Sequence, residues 1–272
     1  MLLVILLILV TAQNMLADPE LSESQANMKS VTTTLVIGAT GATGRHVVQM
    51  LLDRGQKVRT IARSKERMEM LLEGDFGDRL IISEASILDL SQSKLDELTS
   101  GCDAVVSCLG HIPDFKGIWG EPRKLVTEAV ISLTTSIGSQ KTKFILMSAD
   151  GVANPNGNDD RRPFLERLTL TLLRLLIPPV ADNEAAALYV HSLGKDTSIE
   201  WCVVRPGDLI EGDVSEYNMT PKPCFGLFGA GKSTRANVGH SMVQLILNDD
   251  EWEKWKFQMP VLTNAINSKE EK

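Results

Sequence analysis

Cysteine is scarce in this chain, and where it occurs the spacing does not suit a metal. Cys102, Cys108, Cys202 and Cys224 are the four, and no two have the C-x-x-C separation that holds zinc. Cys108 and Cys202 lie inside apolar, strand-like runs, which reads as buried reduced thiols. An excess of positive charge is also missing. The net charge is −7 and the pI about 5.2, so neither nucleic acid nor an anionic membrane is expected as the main partner. A membrane-spanning run is missing too. The apolar stretch "LLVILLILV" at Leu2–Val10 falls short of the roughly 20 residues that a spanning helix needs. Its length suits a signal peptide, with "VTA" or "MLA" before a cleavage point, but no Lys or Arg precedes it. Met28 opens "MKSVTTTLVIGATG" like the start of a protein, so residues 1–27 read equally well as a dispensable extension. If residues 1–17 act as a signal, the compartment is the secretory pathway; otherwise it is the cytoplasm. Low-complexity tracts and internal repeats are absent as well.

What is present is an ordinary globular composition. The chain is 43% hydrophobic and 23% charged, enough to bury a sizeable core, and its 272 residues suit one α/β domain. From Thr32 to Gly207 short β-rich runs alternate with helical periodicity. "TTTLVIG" reads as the first strand, followed by the helix "RHVVQMLLDRG". "KVRTIAR", "RLIISEAS", "CDAVVSCLG", "KFILMSADG" and "IEWCVVRPG" read as the later strands. "EPRKLVTEAVISLTTSIG" reads as a long helix with Pro122 in its first turn, where a missing N–H costs nothing. The alternation predicts an α/β fold, a doubly wound parallel sheet of Rossmann type spanning residues 28–272. Ligands of such a sheet sit beyond the carboxyl ends of its strands. "RPFLERLTLTLLRLLIPP" reads as a helix ended by two prolines, its leucines facing the core. Residues 208–272, irregular up to about Gly231 and then helical through "RANVGHSMVQLILND", read as a small C-terminal region covering a substrate pocket.

Two stretches match phosphate-binding patterns. "GATGATG" sets Gly38, Gly41 and Gly44 three apart between a strand and a helix. In that setting one glycine makes a tight turn, one lets the backbone approach a pyrophosphate, and one lets helix and strand pack closely. The helix N-terminus adds free N–H groups and a positive dipole end, and Thr40 and Thr43 add hydroxyls. "GLFGAGKST" at Gly226–Thr234 fits G-x-x-x-x-G-K-S/T, but Pro221 and Pro223 stand where a buried strand would have to precede it. No later apolar strand ends in an aspartate to hold magnesium. The upstream loop is therefore expected to hold the nucleotide.

An acidic residue is also missing where an NAD site carries one, about 20 residues past the glycines. The second strand ends "RTIARSKER", with Arg63 and no carboxylate before Glu66. A guanidinium there would grip a 2′-phosphate that a carboxylate would repel, so NADP, with NADPH preferred over NADH, is the expected cofactor.

"VIGATGATGRHVVQMLLDRGQKVRTIARS", "VVSCLG", "FILMSADGV" and "WCVVRPGDLIEG" together resemble the atypical short-chain dehydrogenase/reductase group, in particular its NmrA-like and biliverdin-reductase-B-like NAD(P)-binding proteins. The resemblance covers roughly Thr32 to Ala265. It implies that Gly38, Thr40, Gly41, Thr43 and Gly44 wrap the pyrophosphate and that Arg63 lies beside the ribose phosphate. It also implies that Asp89 lies near the adenine and that Cys108, Leu109 and Gly110 run under the second ribose. Ser148 then faces the nicotinamide, and Pro206 and Gly207 flank its carboxamide. One feature of that group is missing, the Tyr-x-x-x-Lys pair in which lysine lowers the tyrosine pKa. The only tyrosines are Tyr189 and Tyr217, and Leu193 stands four residues after Tyr189. Two expectations follow. One is an NADPH-dependent reductase passing hydride to a small planar or carbonyl acceptor, with Ser148 and His111 as catalytic candidates and Phe115 and Trp119 available for stacking. The other is a non-catalytic NADP(H) sensor of NmrA type. No metal site is expected, and the oligomeric state is open.

Overall fold

The structure is a computed structural model that describes residues 31–112, 114–229 and 231–265. The expectations for residues 1–27, extension or signal, lie outside the described residues. A compact unit begins at Thr32. Its strands are β1 (Thr33–Ile37), β2 (Lys57–Ala62), β3 (Leu80–Glu84), β4 (Ala104–Ser107), β5 (Thr142–Met147), β6 (Ile199–Pro206), β7 (Asp208–Ile210), β8 (Tyr217–Thr220), β9 (Lys232–Thr234) and β10 (Val261–Asn264). Eight of them form one sheet in the order β3-β2-β1-β4-β5-β6-β10-β8. All neighbours in it are parallel except β8, which runs antiparallel to β10. The expected doubly wound α/β sheet is borne out.

The central strands of the sheet are buried on both faces, which is why they read as continuous apolar runs. Side chains alternate between faces with period two. Leu35, Ile37, Val105, Phe144, Leu146 and Val203 point to one core. Val36, Val106, Ile145, Cys202 and Val204 point to the other. On this second face α1 (Gly44–Asp53) buries Val47, Val48, Leu51 and Leu52, and α8 (Arg235–Leu247) packs against it. A Cβ at Gly239 would stand 2.9 Å from His46 Cβ, so that glycine lets the two helices touch. The first face is covered by α3 (Gln92–Thr99), α5 (Leu125–Ser136) and α7 (Pro178–Ser192). The remaining helices are α2 (Lys65–Met70), α4 (Phe115–Trp119), α6 (Phe164–Leu176) and α9 (Asp249–Trp255). Cys102, Cys108 and Cys202 are buried free thiols, while Cys224 is exposed. Among the described residues no helix is long and apolar enough to cross a membrane.

Several local readings need correction. The helix α5 starts at Leu125 rather than at Pro122, because the Asp182 carboxylate accepts from Val126 N (2.8 Å) and Thr127 N (3.0 Å) and caps it there. Pro178 and Pro179 do not merely end α6; they open α7, where a proline has no N–H to lose. Most leucines of α6 do not face the core: Leu165, Leu168, Leu172, Leu175 and Leu176 are exposed. Only Glu166 and Leu170 are buried on that helix, and Glu166 pairs there with Arg162 at 3.3 Å. Residues 208–264 are less irregular than expected: β8 and β10 extend the main sheet, and β7 pairs with β9. A strand, β8, does precede "GLFGAGKST", but it is the antiparallel edge strand and a turn through Pro221 and Pro223 separates it from Gly226. Lys232 to Thr234 then form β9 instead of opening a helix, and Thr234 caps α8 by accepting from Asn237 N at 3.1 Å.

Candidate functional site

The strand order reverses at β1, which lies between β2 and β4. A crevice opens at the carboxyl ends of strands at such a point, and the glycine turn fills its base. Gly38 has φ +72°, and a Cβ there would stand 2.5 Å from Cys108 O, so β4 can pass only a glycine. A Cβ on Gly44 would stand 2.2 Å from Gly38 O, so α1 can start against the turn only with glycine. Gly41 is different. Its Cβ would meet one atom, Gly38 O, at 3.0 Å, and the rest of its surroundings are open. Thr43 caps α1 without a side-chain bond and the first turn holds no acidic residue; Arg45 N and His46 N bond back to Gly41 O and Thr43 O, so what the helix end offers an anion is its uncompensated positive dipole end.

A cavity of about 580 Å³ runs along this crevice. Gly38, Thr40 and Gly41 form its base, and Arg63 and Arg67 its wall at the end of β2. Ala85, Ser86 and Ile87 line it after β3, and Cys108, Leu109 and Gly110 after β4. It then continues past His111 to Ile112, Asp114, Lys116 and Gly117. Arg63 and Arg67 are exposed, and neither guanidinium has a carboxylate partner among the described residues. Ser64 holds the start of α2 by accepting from Arg67 N at 3.1 Å. Thr43, Gly44, Asp89, Ser148 and Pro206 are not part of the cavity wall. Asp89 is exposed at the end of a short 3-10 turn, Ile87–Asp89, whose buried residue is Ile87. The Cys108 thiol is pushed up to about 12 by burial, which leaves it protonated and inert.

Ser148 is buried directly after β5. Its hydroxyl donates to Asn183 Oδ1 at 2.8 Å. Its N–H bonds to Val204 O at 2.8 Å, and Asp150 N to Pro206 O at 3.0 Å, so the ends of β5 and β6 are tied together. His111 is held from both sides. Its Nε2 lies 2.8 Å from Asp182 Oδ2 and its Nδ1 3.1 Å from Gly117 O. Both partners are acceptors, so both contacts are satisfied when each ring nitrogen carries hydrogen. Asp182 therefore collects three donors: His111 and the two N–H groups that open α5. Asp182, Asn183 and Asp150 were not singled out from the sequence. The adjacent pair "DN" on a helix without a tyrosine–lysine pair was the available signal. Burial raises the Asp150 carboxyl above the usual carboxylate range, with Asp208 adding to the shift and Arg162 and Arg205 opposing it. Tyr189 OH faces Thr134 Oγ1 on α5 at 3.2 Å. Among the described residues no cluster suited to a metal ion is present.

A doubly wound sheet with a glycine turn and an open helix N-terminus at its reversal point defines a Rossmann-type dinucleotide-binding protein. The model of a family described as NAD(P)H-binding matches residues 38–249. The chain belongs to that NAD(P)H-binding family, and its resemblance to the atypical, NmrA-like short-chain dehydrogenase/reductase group is borne out. An uncharacterized chloroplast protein of Arabidopsis thaliana is 26% identical over 79% of this chain and 72% of its own length. The divinyl chlorophyllide a 8-vinyl-reductase of Arabidopsis thaliana, also chloroplastic, is 36% identical over 73% of this chain. The chain spans 44% of that reductase. Among solved structures, an anaerobillin reductase from Escherichia coli O157:H7 superposes with a TM-score of 0.59, at 16% identity, over 87% of this chain and 99% of its own. That likeness concerns the fold. Family and neighbours together support an NAD(P)H oxidoreductase in general terms.

Proposed function

We propose that the protein is an NADPH-dependent reductase that passes hydride to a small planar or carbonyl acceptor without a tyrosine–lysine pair. The observation that carries this reading is the cavity itself. It runs from the glycine turn past two unpartnered arginines and continues beyond β4 into the loop Ile112–Gly117, leaving room for an acceptor next to a dinucleotide. The residues fit that cofactor: the space at Gly41 suits a pyrophosphate, with Thr40 and the N-terminal end of α1 beside it. Arg63 and Arg67 suit a 2′-phosphate. Bound NADPH would supply the hydride. The Ser148 hydroxyl, fixed by Asn183, keeps lone pairs free to accept from the carboxamide or the acceptor. His111, with both nitrogens engaged, holds the acceptor loop in place.

The test follows the loss of NADPH absorbance in the presence of flavins, quinones and aldehydes. Turnover with any of them supports the reading. Tight NADPH binding with no oxidation by any acceptor overturns it and favours the sensor.

A further inference from the structure

We propose that the outer face of α6, together with Phe115 and Trp119, docks onto the surface of an anionic lipid bilayer. A surface helix ordinarily turns its apolar stripe to the core. Here the stripe faces out. Phe164, Leu165, Leu168, Leu172, Leu175 and Leu176 are 76%, 61%, 43%, 48%, 75% and 64% exposed. At 3.6 residues per turn these six fall within an arc of about 120°. The patch does not stop at the helix end. Trp119 Nε1 donates to Leu176 O at 3.1 Å, and the Phe115 and Trp119 rings lie 5.0 Å apart. Phe115 is 79% and Trp119 45% exposed. An apolar face of this breadth marks a membrane or partner site rather than ordinary surface.

Charge selects the occupant. The chain carries −7 overall, but this face is the exception. Arg161 and Arg167 border the stripe and Lys116 stands between Phe115 and Trp119; all three are exposed, and none has an acidic partner among the described residues. Most acids nearby are already engaged; Asp114, beside Phe115, is exposed and, among the described residues, accepts only from Gly117 N. Glu166 is buried against Arg162, Glu184 holds Arg174, Asp159 holds Arg205, Asp160 holds Lys222 and Glu121 holds Arg123. A second copy docked through the same face would bring arginines to arginines, three cations on each copy against the one unpaired carboxylate of Asp114. Anionic headgroups complement all three cations while Phe, Trp and Leu enter the acyl boundary, which is the pattern of a helix lying in the membrane interface. Repulsion from the acidic remainder is screened beyond about 10 Å at ordinary salt.

Trp119 reports on this face directly, because Trp201, Trp252 and Trp255 are buried. The full chain is mixed with vesicles of brominated phosphatidylglycerol or of brominated phosphatidylcholine. Expected are quenching of tryptophan emission by the anionic vesicles, weaker quenching at high salt, and loss of the quenching in Trp119→Phe. The variant carrying Leu168→Gln, Leu172→Gln and Leu175→Gln should bind vesicles at least about tenfold more weakly, and so should Arg161→Glu with Arg167→Glu. These positions are exposed, so circular dichroism and NADPH binding should not change. Vesicle binding that persists in the leucine variant, with Trp119 unquenched in the wild type, overturns the proposal and assigns membrane affinity to another part of the chain. A lipid-free dimer that the leucine variant dissociates overturns it in favour of a second copy.

Discussion

Arg205 lies fully buried in β6 and grips Asp159 with both terminal nitrogens, at 2.6 and 3.0 Å. Its remaining hydrogen bonds go to Val152 O, Met259 O and Pro221 O. One guanidinium thus ties the loop after β5 to the segments before β10 and after β8. A buried pair broken on one side leaves an uncompensated charge, which costs about 3–5 kcal/mol. Asp159→Ala should therefore lower unfolding stability by about that amount in urea titrations. Arg205→Met combined with Asp159→Ala should cost less than the sum of the single changes.

Gly41→Val should abolish NADPH binding and leave the protein folded, since its Cβ meets little protein and fills the space proposed for the pyrophosphate. Gly44→Ala should instead fail at the level of folding, because its Cβ runs into Gly38 O. Lys232→Ala should leave nucleotide binding unchanged. ATP hydrolysis that disappears with Lys232→Ala would count against the choice of loop.

NADPH should bind about tenfold to a hundredfold more tightly than NADH, the range expected for charge-assisted hydrogen bonds to a phosphate. Fluorescence titration with each cofactor measures this. Arg63→Glu should reverse the order, and equal affinities in the wild type would remove the basis for it.

Ser148→Ala should lower turnover by roughly tenfold to a hundredfold, with NADPH binding little changed. Tyr189→Phe should cost little, because its hydroxyl only meets Thr134. A folded, NADPH-bound Tyr189→Phe protein without activity would reassign the chemistry.

The raised Asp150 carboxyl makes a prediction with a definite sign. A raised folded value means that the native state binds the proton more tightly than the unfolded chain. That contribution to stability is complete below the ordinary carboxylate value of about 3.9 and is lost as pH rises through the higher folded value. Asp150→Asn should therefore be more stable than the wild type at neutral pH, and the difference should vanish in acid. Thermal melts at several pH values measure both; a variant destabilised at neutral pH would contradict the shift.

Local features were the legible ones. The turn after β1 was readable because glycine spacing, a strand before it and a helix after it all lie within about twenty residues. The central strands were readable because burial on both faces leaves continuous apolar runs. What could not be read depends on contacts distant in sequence. His111 and Asp182 are 71 positions apart, and Ser148 and Asn183 are 35 apart, so neither pair leaves a local pattern. A leucine stripe on α6 announces an amphipathic helix but not the direction it faces; Glu166 and Leu170 are the residues that lie on its inner side. Likewise, Pro178 and Pro179 carry the same local message whether a helix ends before them or starts with them.

The position of β10 has a consequence for how the chain can be made. Residues 261–264 form the strand that sits between β6 and the edge strand β8, yet they lie beyond residue 249, where the family match stops. While the chain emerges from a ribosome, the β6 edge and its backbone N–H and C=O groups stay open until this last segment arrives. An open edge of that kind invites pairing with other chains. A protein cut back to the family boundary would keep the glycine turn and most of the sheet, and should be prone to aggregate through β6.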